Sequence, residues 1–470
     1  MSPMEADTPP SWKRPALLLG LLTCLFCLPL LWRALAVVQL DANEGWNVMR
    51  ALMALHHMPL YGGRPVLDLT NYPFLSFHFI AGLMALGADP LFAGRAVALV
   101  SLLALGGFAG ATARLLTPVR HAPLFAGLLF VLWLAIWMPN RVAVDDPQLL
   151  GMVLEAAGFY LFLRGGTSMP VLWLSAGLFA LALFTKQNLL ALPAGAGLAL
   201  ICQKRWRALL HWLIAGGLCA GLLLWLTLRL DGPYFFIQML QPSAYLWRDA
   251  GAQGGDYLLV FLPVLCLAGA WCWRQRRQAQ AWPLIFGWII ANLLGFFFEG
   301  GDGVGRNVFF EALMLSAVLA MAACARAPRS LKALLLLYPF LWALAHFHAA
   351  LREDQALPGA RAEFAAATSL LAPLPGPVMC EDLLLCARAG HRSAFYSYFV
   401  LSEIRLHRLP DAEITAMVAR RQLQAVEIGT TDQPEPLRRA QFTPSFLAAL
   451  KAHYRLALRG RTIAVWVPAP

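Results

Sequence analysis

Charge is what this 470-residue sequence has least of. Its 37 Lys+Arg and 26 Asp+Glu make up 13% of the chain, against about 25% in soluble globular domains. Such a chain cannot coat a water-facing surface of its own. With 59% hydrophobic residues and a mean hydropathy of +0.61, it is neither disordered, nor a nucleic-acid-binding module, nor an ordinary soluble enzyme. It also lacks a zinc-type His/Cys spacing, a Walker loop and a dinucleotide fingerprint. Cys24, Cys27, Cys202, Cys219, Cys266, Cys272 and Cys324 lie in or beside apolar runs, where a thiol serves as a small hydrophobe.

What is there is a succession of apolar stretches. About 20 apolar residues cross a bilayer as a helix, and eleven spans meet or approach that length: roughly 15–39, 90–113, 122–139, 148–163, 170–184, 189–202, 208–228, 257–273, 282–298, 308–325 and 331–350. The expected fold is therefore an all-α polytopic membrane bundle. The stretch Pro73 to Gly87 is shorter and carries His78, which reads as interfacial. The first span follows Lys13/Arg14 and ends near Ala34-Leu35-Ala36, like a secretory signal. It outruns a signal core and contains Arg33, so a retained helix is expected.

With the N-terminus in the cytoplasm, eleven crossings place every basic cluster between spans on the inside: Arg114/Arg120, Arg164, Lys204/Arg205/Arg207, Arg274/Arg276/Arg277 and Arg326/Arg329/Lys332. The net charge of +11 is then an orientation signal set against an anionic leaflet, with no nucleic-acid partner implied. The outer loops receive the carboxylates. From about residue 351 the chain changes character, with 14 Lys/Arg and 11 Asp/Glu in its last 120 residues. Strand-like runs at 377–380, 423–428 and 462–467 alternate with helical pattern there. The chain thus divides into a membrane domain, 1–350, and a small extracytoplasmic α/β domain, 351–470. Cys380 and Cys386 in the latter either pair in an oxidising compartment or remain free thiols.

Charged groups at membrane depth are functional candidates by default. Asp41 and Glu44 follow the first span and would share a helix face at i and i+3. They could take a proton from a hydroxyl or simply start a helix. Asp145 and Asp146 precede Pro147, where one aspartate could cap the helix and both could hold a cation. Lys186, in Thr185-Lys186-Gln187-Asn188, could neutralise a phosphate or snorkel to the interface. Glu299 to Asn307 is a glycine-dense loop with Asp302 and Arg306 ahead of a helix, suggestive of anion binding. Arg95, Glu155 and Glu311 lie within spans and suit helix-orienting pairs.

The order of these features resembles the GT-C superfamily of polyprenyl-phosphate-sugar-dependent glycosyltransferases, in particular its family-39-like branch of protein mannosyltransferases and aminoarabinose transferases. The residues that carry the likeness are Asp41 and Asn43-Glu44-Gly45-Trp46-Asn47, Asn71-Tyr72-Pro73-Phe74-Leu75, Ala93-Gly94-Arg95, Val144-Asp145-Asp146-Pro147, Thr185-Lys186-Gln187-Asn188 and Gly303-Val304-Gly305-Arg306-Asn307. They cover residues 15–350. The resemblance implies an inverting transfer, at the outer face of a bacterial inner membrane, of a monosaccharide from a polyprenyl-phosphate carrier to an acceptor hydroxyl. It also implies a first-loop acidic base. The family's Asp-Glu pair appears here as Asn43-Glu44, so either Asp41 or Glu44 is the base, the other serving as metal or acceptor ligand. Lys186 and Arg306 are then expected at the donor phosphate, and Asn71, Tyr72, Asn188, Glu299, Asp302 and Asn307 around the substrate. Asp145 and Asp146 are expected to hold Mg²⁺ or Mn²⁺. The expected partners are the lipid-linked sugar, membrane lipid and a glycan, lipid or protein acceptor. A lipid-linked sugar flippase or secondary transporter is the rival reading.

Overall fold

The computed structural model describes residues 12–62, 67–165, 168–241, 244–325, 329–429 and 442–470. Helices α1 (Lys13–Ala34), α2 (Ala42–Leu55), α3 (Leu75–Ala85), α4 (Pro90–Leu116), α5 (Ala122–Trp137) and α6 (Pro147–Gly165) open the chain. They are followed by α7 (Met169–Thr185), α8 (Ala191–Cys202), α9 (Trp206–Leu230), α10 (Phe235–Met239), α11 (Trp247–Gln275), α12 (Trp282–Phe298), α13 (Phe310–Cys324) and α14 (Arg329–Leu371). Eleven of these helices coincide with the eleven apolar spans. Six spans (Lys13–Ala34, Pro90–Leu116, Trp206–Leu230, Trp247–Gln275, Ala279–Phe298 and Arg306–Cys324) are long and apolar enough to cross a membrane by length and composition alone.

Burial separates the inner from the outer helices. In α13, Phe310 to Met321 is buried throughout, which makes it the centre of the bundle. On α9, Leu210, Leu213, Leu218, Leu222 and Trp225 are left exposed, a face that water would not tolerate and lipid would. The fold is a polytopic membrane bundle.

The segment between α1 and α4 holds two shorter helices, α2 and α3. Helix α3 has 11 residues, about 16 Å at 1.5 Å per residue, short of the roughly 30 Å hydrocarbon core. It packs against the amphipathic α2, and Phe77 of α3 meets Trp46 of α2 edge-on at 5.5 Å. Helix α14 has 43 residues, roughly 65 Å, and passes without interruption from the bundle into the C-terminal region.

That region adds α15 (Leu383–Arg388), α16 (Ser397–Arg405), α17 (Asp411–Ala419) and α18 (Pro444–His453) around strands β1 (Val378–Cys380), β2 (Ala425–Gly429), β3 (Tyr454–Arg459) and β4 (Ile463–Pro468). The sheet order is β1-β2-β4-β3, with β1 and β2 parallel and the other pairs antiparallel. Cys380 and Cys386 are joined in a disulfide with Cα atoms 5.9 Å apart. This domain packs on α2 through α15. A Cβ at Gly45 of α2 would lie 2.4 Å from the Leu384 backbone nitrogen, so only glycine permits the approach. Arg388 pairs with Asp89, and Asp68 joins Arg50 of α2 to Arg392.

Candidate active site

Two buried ion pairs organise the region around the start of α2 and the end of α7. The first involves Glu44, on the first turn of α2, which is fully buried and receives Arg95 of α4 in a fork: Nε to Oε1 and Nη2 to Oε2, both 2.7 Å. The same carboxylate accepts the backbone N–H of Leu40 at 2.6 Å and of Asp145 at 3.0 Å. The remaining guanidinium hydrogens go to the carbonyls of Ala34, Ala36 and Val38. Every strong hydrogen-bonding direction of the pair is used, as a buried ion pair requires. Glu44, a sequence candidate for the base, is thereby turned away from the cavity into the packing between α2, α4 and the loop before α6.

The second pair faces a cavity of about 410 Å³. Lys186, just past α7, is buried. Its Nζ lies 3.0 Å from Asp146 Oδ1 and 3.8 Å from the centre of the Tyr72 ring. Burial alone would depress the lysine pKa, but Asp146 and Tyr72 outweigh it and raise the value. Asp146 also accepts the Gln148 N–H at 2.8 Å and the Asn307 amide at 3.2 Å. Burial works to raise its pKa too, and Lys186, the Gln148 N–H and Arg141 hold it low. Lys186 is thus a charged ammonium on the cavity wall. Asn71, Tyr72, Asn188, Asp302 and Asn307, all expected around the substrate, line the same cavity, together with Asn43 and Trp46. The Asn188 Oδ1 is buried there without a partner.

Asp41 does not line the cavity itself, but Asn43 and Arg141, both hydrogen-bonded to it, do. It is the N-cap of α2, accepting the Asn43 N–H at 3.0 Å and Arg141 Nη1 at 2.9 Å on the same oxygen. Burial pushes its carboxyl pKa above the ordinary aspartate value, with Asp146 and Glu44 adding to that and Arg141 opposing it.

Other expected positions fall elsewhere. Arg306, expected at the phosphate, instead pairs with Asp256 at 2.8 Å and with Gln253 at 3.2 Å, both on α11, and does not line the cavity. Glu299 is buried outside the lining, both oxygens unpartnered, its pKa pushed up to about 8 chiefly by burial. Asp145 and Asp146 do not converge on one point. The Asp145 carboxyl packs against Gly94, and burial with the neighbouring Glu44 and Asp146 pushes its pKa well up. These residues do not fit Mg²⁺ or Mn²⁺, because a lysine already occupies the cationic position at Asp146. Among the described residues no three His, Cys, Asp or Glu side chains form a metal-holding group.

Sequence reasoning missed two contributors. Arg141, on the short helical turn Pro139–Arg141, lines the cavity and takes the cationic position expected for Arg306. The other is the cavity roof, made by Tyr396, Tyr398, Phe399, Ser402 and Glu403 of the C-terminal domain. Gly303, at φ 78°, passes beneath it, where a Cβ would lie 2.2 Å from the Tyr398 hydroxyl. The Gly303 neighbourhood was legible as a glycine-dense loop, but nothing in the sequence pointed to what covers it.

No family model matches the chain, and no curated protein matches it by sequence. Solved structures do match. ArnT from Cupriavidus metallidurans, bound to undecaprenyl phosphate, superposes with a TM-score of 0.66 at 14% identity over 96% of this chain and 99% of that one. The archaeal oligosaccharyltransferase AglB from Archaeoglobus fulgidus, in complex with an inhibitory peptide and a dolichol-phosphate, gives 0.55 at 12% identity over 97% and 75%. An oligosaccharyltransferase from Archaeoglobus fulgidus, solved with zinc and sulfate, gives 0.51 at 12% identity over 85% and 68%. Over nearly its whole length the chain shares the fold of these proteins.

Proposed function

We propose that the protein is an inverting glycosyltransferase that moves a monosaccharide from a polyprenyl-phosphate carrier to an acceptor hydroxyl at the outer face of a bacterial inner membrane. The observation that carries this reading is the buried, charged Lys186 on the wall of a cavity at the outer end of an apolar bundle. A phosphate entering there meets Lys186 and Arg141, while its prenyl chain stays among the apolar helices. The sorting of basic clusters to the opposite face supports the orientation. So does the Cys380–Cys386 disulfide, which suits an oxidising compartment. On this reading residues 1–350 are the membrane catalytic domain and residues 351–470 a periplasmic domain.

Asp41 is the base we favour, because its second oxygen takes no hydrogen bond among the described residues and burial makes it more basic. It takes the acceptor proton as the acceptor oxygen bonds to the anomeric carbon. The bond from that carbon to the phosphate oxygen breaks, leaving the lipid phosphate as a dianion stabilised by Lys186 and Arg141. Asn71, Tyr72, Asn188, Asp302 and Asn307 orient the sugar. Asp145 and Asp146 do not fit a divalent ion, and no step passes through one.

The test is release of polyprenyl phosphate from a radiolabelled polyprenyl-phosphate sugar by purified protein in lipid nanodiscs. Asp41→Asn should cut kcat by about 10²–10⁴-fold, the usual worth of general base catalysis. In the wild type, kcat/KM should fall as pH drops through the raised Asp41 pKa, because the protonated carboxyl cannot accept the hydroxyl proton. The acidic limb should therefore lie above the ordinary aspartate value of 3.8. Sugar crossing the bilayer with the phosphate bond intact would establish the flippase reading instead.

A further inference from the structure

The roof of the cavity holds a carboxylate whose hydrogen bonding is incomplete. Glu403, on α16, has a side chain only 4% exposed; one oxygen faces Arg408 at 3.5 Å, while the other, Oε2, is buried without a partner. It lines the cavity together with Tyr396, Tyr398 and Phe399. Burying a carboxylate oxygen without a donor is unfavourable, so its persistence here calls for a ligand that supplies one. The aromatic residues are arranged as a sugar-sized wall, with Tyr396 and Phe399 5.0 Å apart edge-on and Trp46 of α2 meeting Phe399 at 6.4 Å.

A lipid phosphate cannot be that ligand group, because an ionised phosphate offers no donor and a carboxylate repels it. The cavity lining thus carries two opposite requirements. Lys186 and Arg141 attract an anion, whereas Glu403 needs a hydroxyl or an ammonium. A sugar phosphate lying between them satisfies both at once. We propose that Glu403, carried by the C-terminal domain, binds the sugar of the lipid-linked donor by accepting a hydrogen bond from one of its hydroxyl or ammonium groups, and so sets which sugar is used. This rests on the glycosyltransferase reading above, and gives the C-terminal domain a part in the site as a specificity element.

The experiment measures binding of bare undecaprenyl phosphate and of its glucosyl, mannosyl and 4-amino-arabinosyl forms to the full-length protein in nanodiscs. Wild type should bind at least one glycosylated form more tightly than the bare lipid. Glu403→Gln should reduce that preference by about tenfold or more, as expected for a lost charge-assisted hydrogen bond, and leave bare-lipid affinity unchanged. Arg408→Gln, which opens the same ion pair from the other side, should keep the preference. The proposal is overturned if the preference survives in Glu403→Gln, if wild type prefers none of the three sugars, or if bare-lipid binding falls in step. It is also overturned if Arg408→Gln loses the preference equally, which would reduce Glu403 to holding α16 in place, or if Glu403→Gln changes only the KM of the acceptor. Failure of wild type to bind even the bare lipid phosphate would instead remove the donor reading itself.

Discussion

The two buried ion pairs, Glu44–Arg95 and Asp146–Lys186, are built from the same chemistry and set in different surroundings. Around Glu44 and Arg95, every strong hydrogen bond is answered by protein, and neither residue lines the 410 Å³ cavity. Around Asp146 and Lys186, the carboxylate is answered by protein, while the ammonium rests on the face of Tyr72 and lines an open space. Burial is equal in the two regions, so burial alone does not mark the reactive one. What separates them is whether hydrogen-bonding capacity is left over for a molecule that is not part of the fold. The closed pair fastens α2 to α4, and the open pair faces the cavity.

This contrast is sharpest under mutation. Removing Arg95 strands a fully buried carboxylate, a loss of about 3–5 kcal/mol by analogy with other buried pairs, which is a large share of a total stability of roughly 5–15 kcal/mol. Arg95→Met should therefore sharply reduce the yield and thermal stability of folded protein, read by thermal denaturation in detergent, with activity following the folded fraction. Arg95→Met retaining wild-type stability would break the assignment of this pair as structural. Lys186→Met should act the other way round. Asp146 keeps its bonds to Gln148 and Asn307, so stability should fall less than in Arg95→Met. Transfer should drop by about 10²–10³-fold, the usual worth of one preorganised group at a developing anion. Adding Asp146→Asn should restore stability without restoring transfer. If the double variant recovered activity, the lysine would be a structural partner of Asp146 and nothing more.

The elements themselves were largely legible from sequence, because a bilayer imposes a long apolar run on every crossing helix. Eleven helices lie where the apolar spans were expected, and three of the four strands where short apolar runs marked them. Strand β3 escaped because it lies at the edge of the sheet, where Arg455 and Arg459 are exposed and its burial follows no apolar pattern. The motifs of the site were legible as a sequence of short polar islands, but their pairings were not. Glu44 looked like a base because its partner, Arg95, stands 51 positions away and must fold back to claim it. Asp145 and Asp146 looked like two ligands of one ion, yet adjacent side chains in this non-helical segment diverge, one toward Gly94 and the other toward Lys186. The roof was invisible because it depends on the docking of a separate domain against Gly45, a contact with no periodic signature.

The smallest expected effect concerns two loop arginines, Arg306 and Arg141, and it decides which of them serves the wall of the cavity. Arg306 is about one-third exposed and paired with Asp256 on α11. Pairs so open to solvent contribute about 0–1 kcal/mol, and Arg306 has no path to the phosphate without breaking that contact. Arg306→Gln should leave donor kcat/KM within about threefold of wild type, consistent with a loss below about 1 kcal/mol. Arg141→Gln should weaken binding of bare undecaprenyl phosphate by about tenfold or more, since it removes a cation from the wall beside Lys186. It should also move the acidic limb of the pH profile upward, because Arg141 opposes the rise in the Asp41 pKa. The reverse pattern, a large loss at Arg306 and none at Arg141, would place the lipid phosphate on the α11 side of the glycine-dense loop. The open pair would then have to be sought there, away from Lys186.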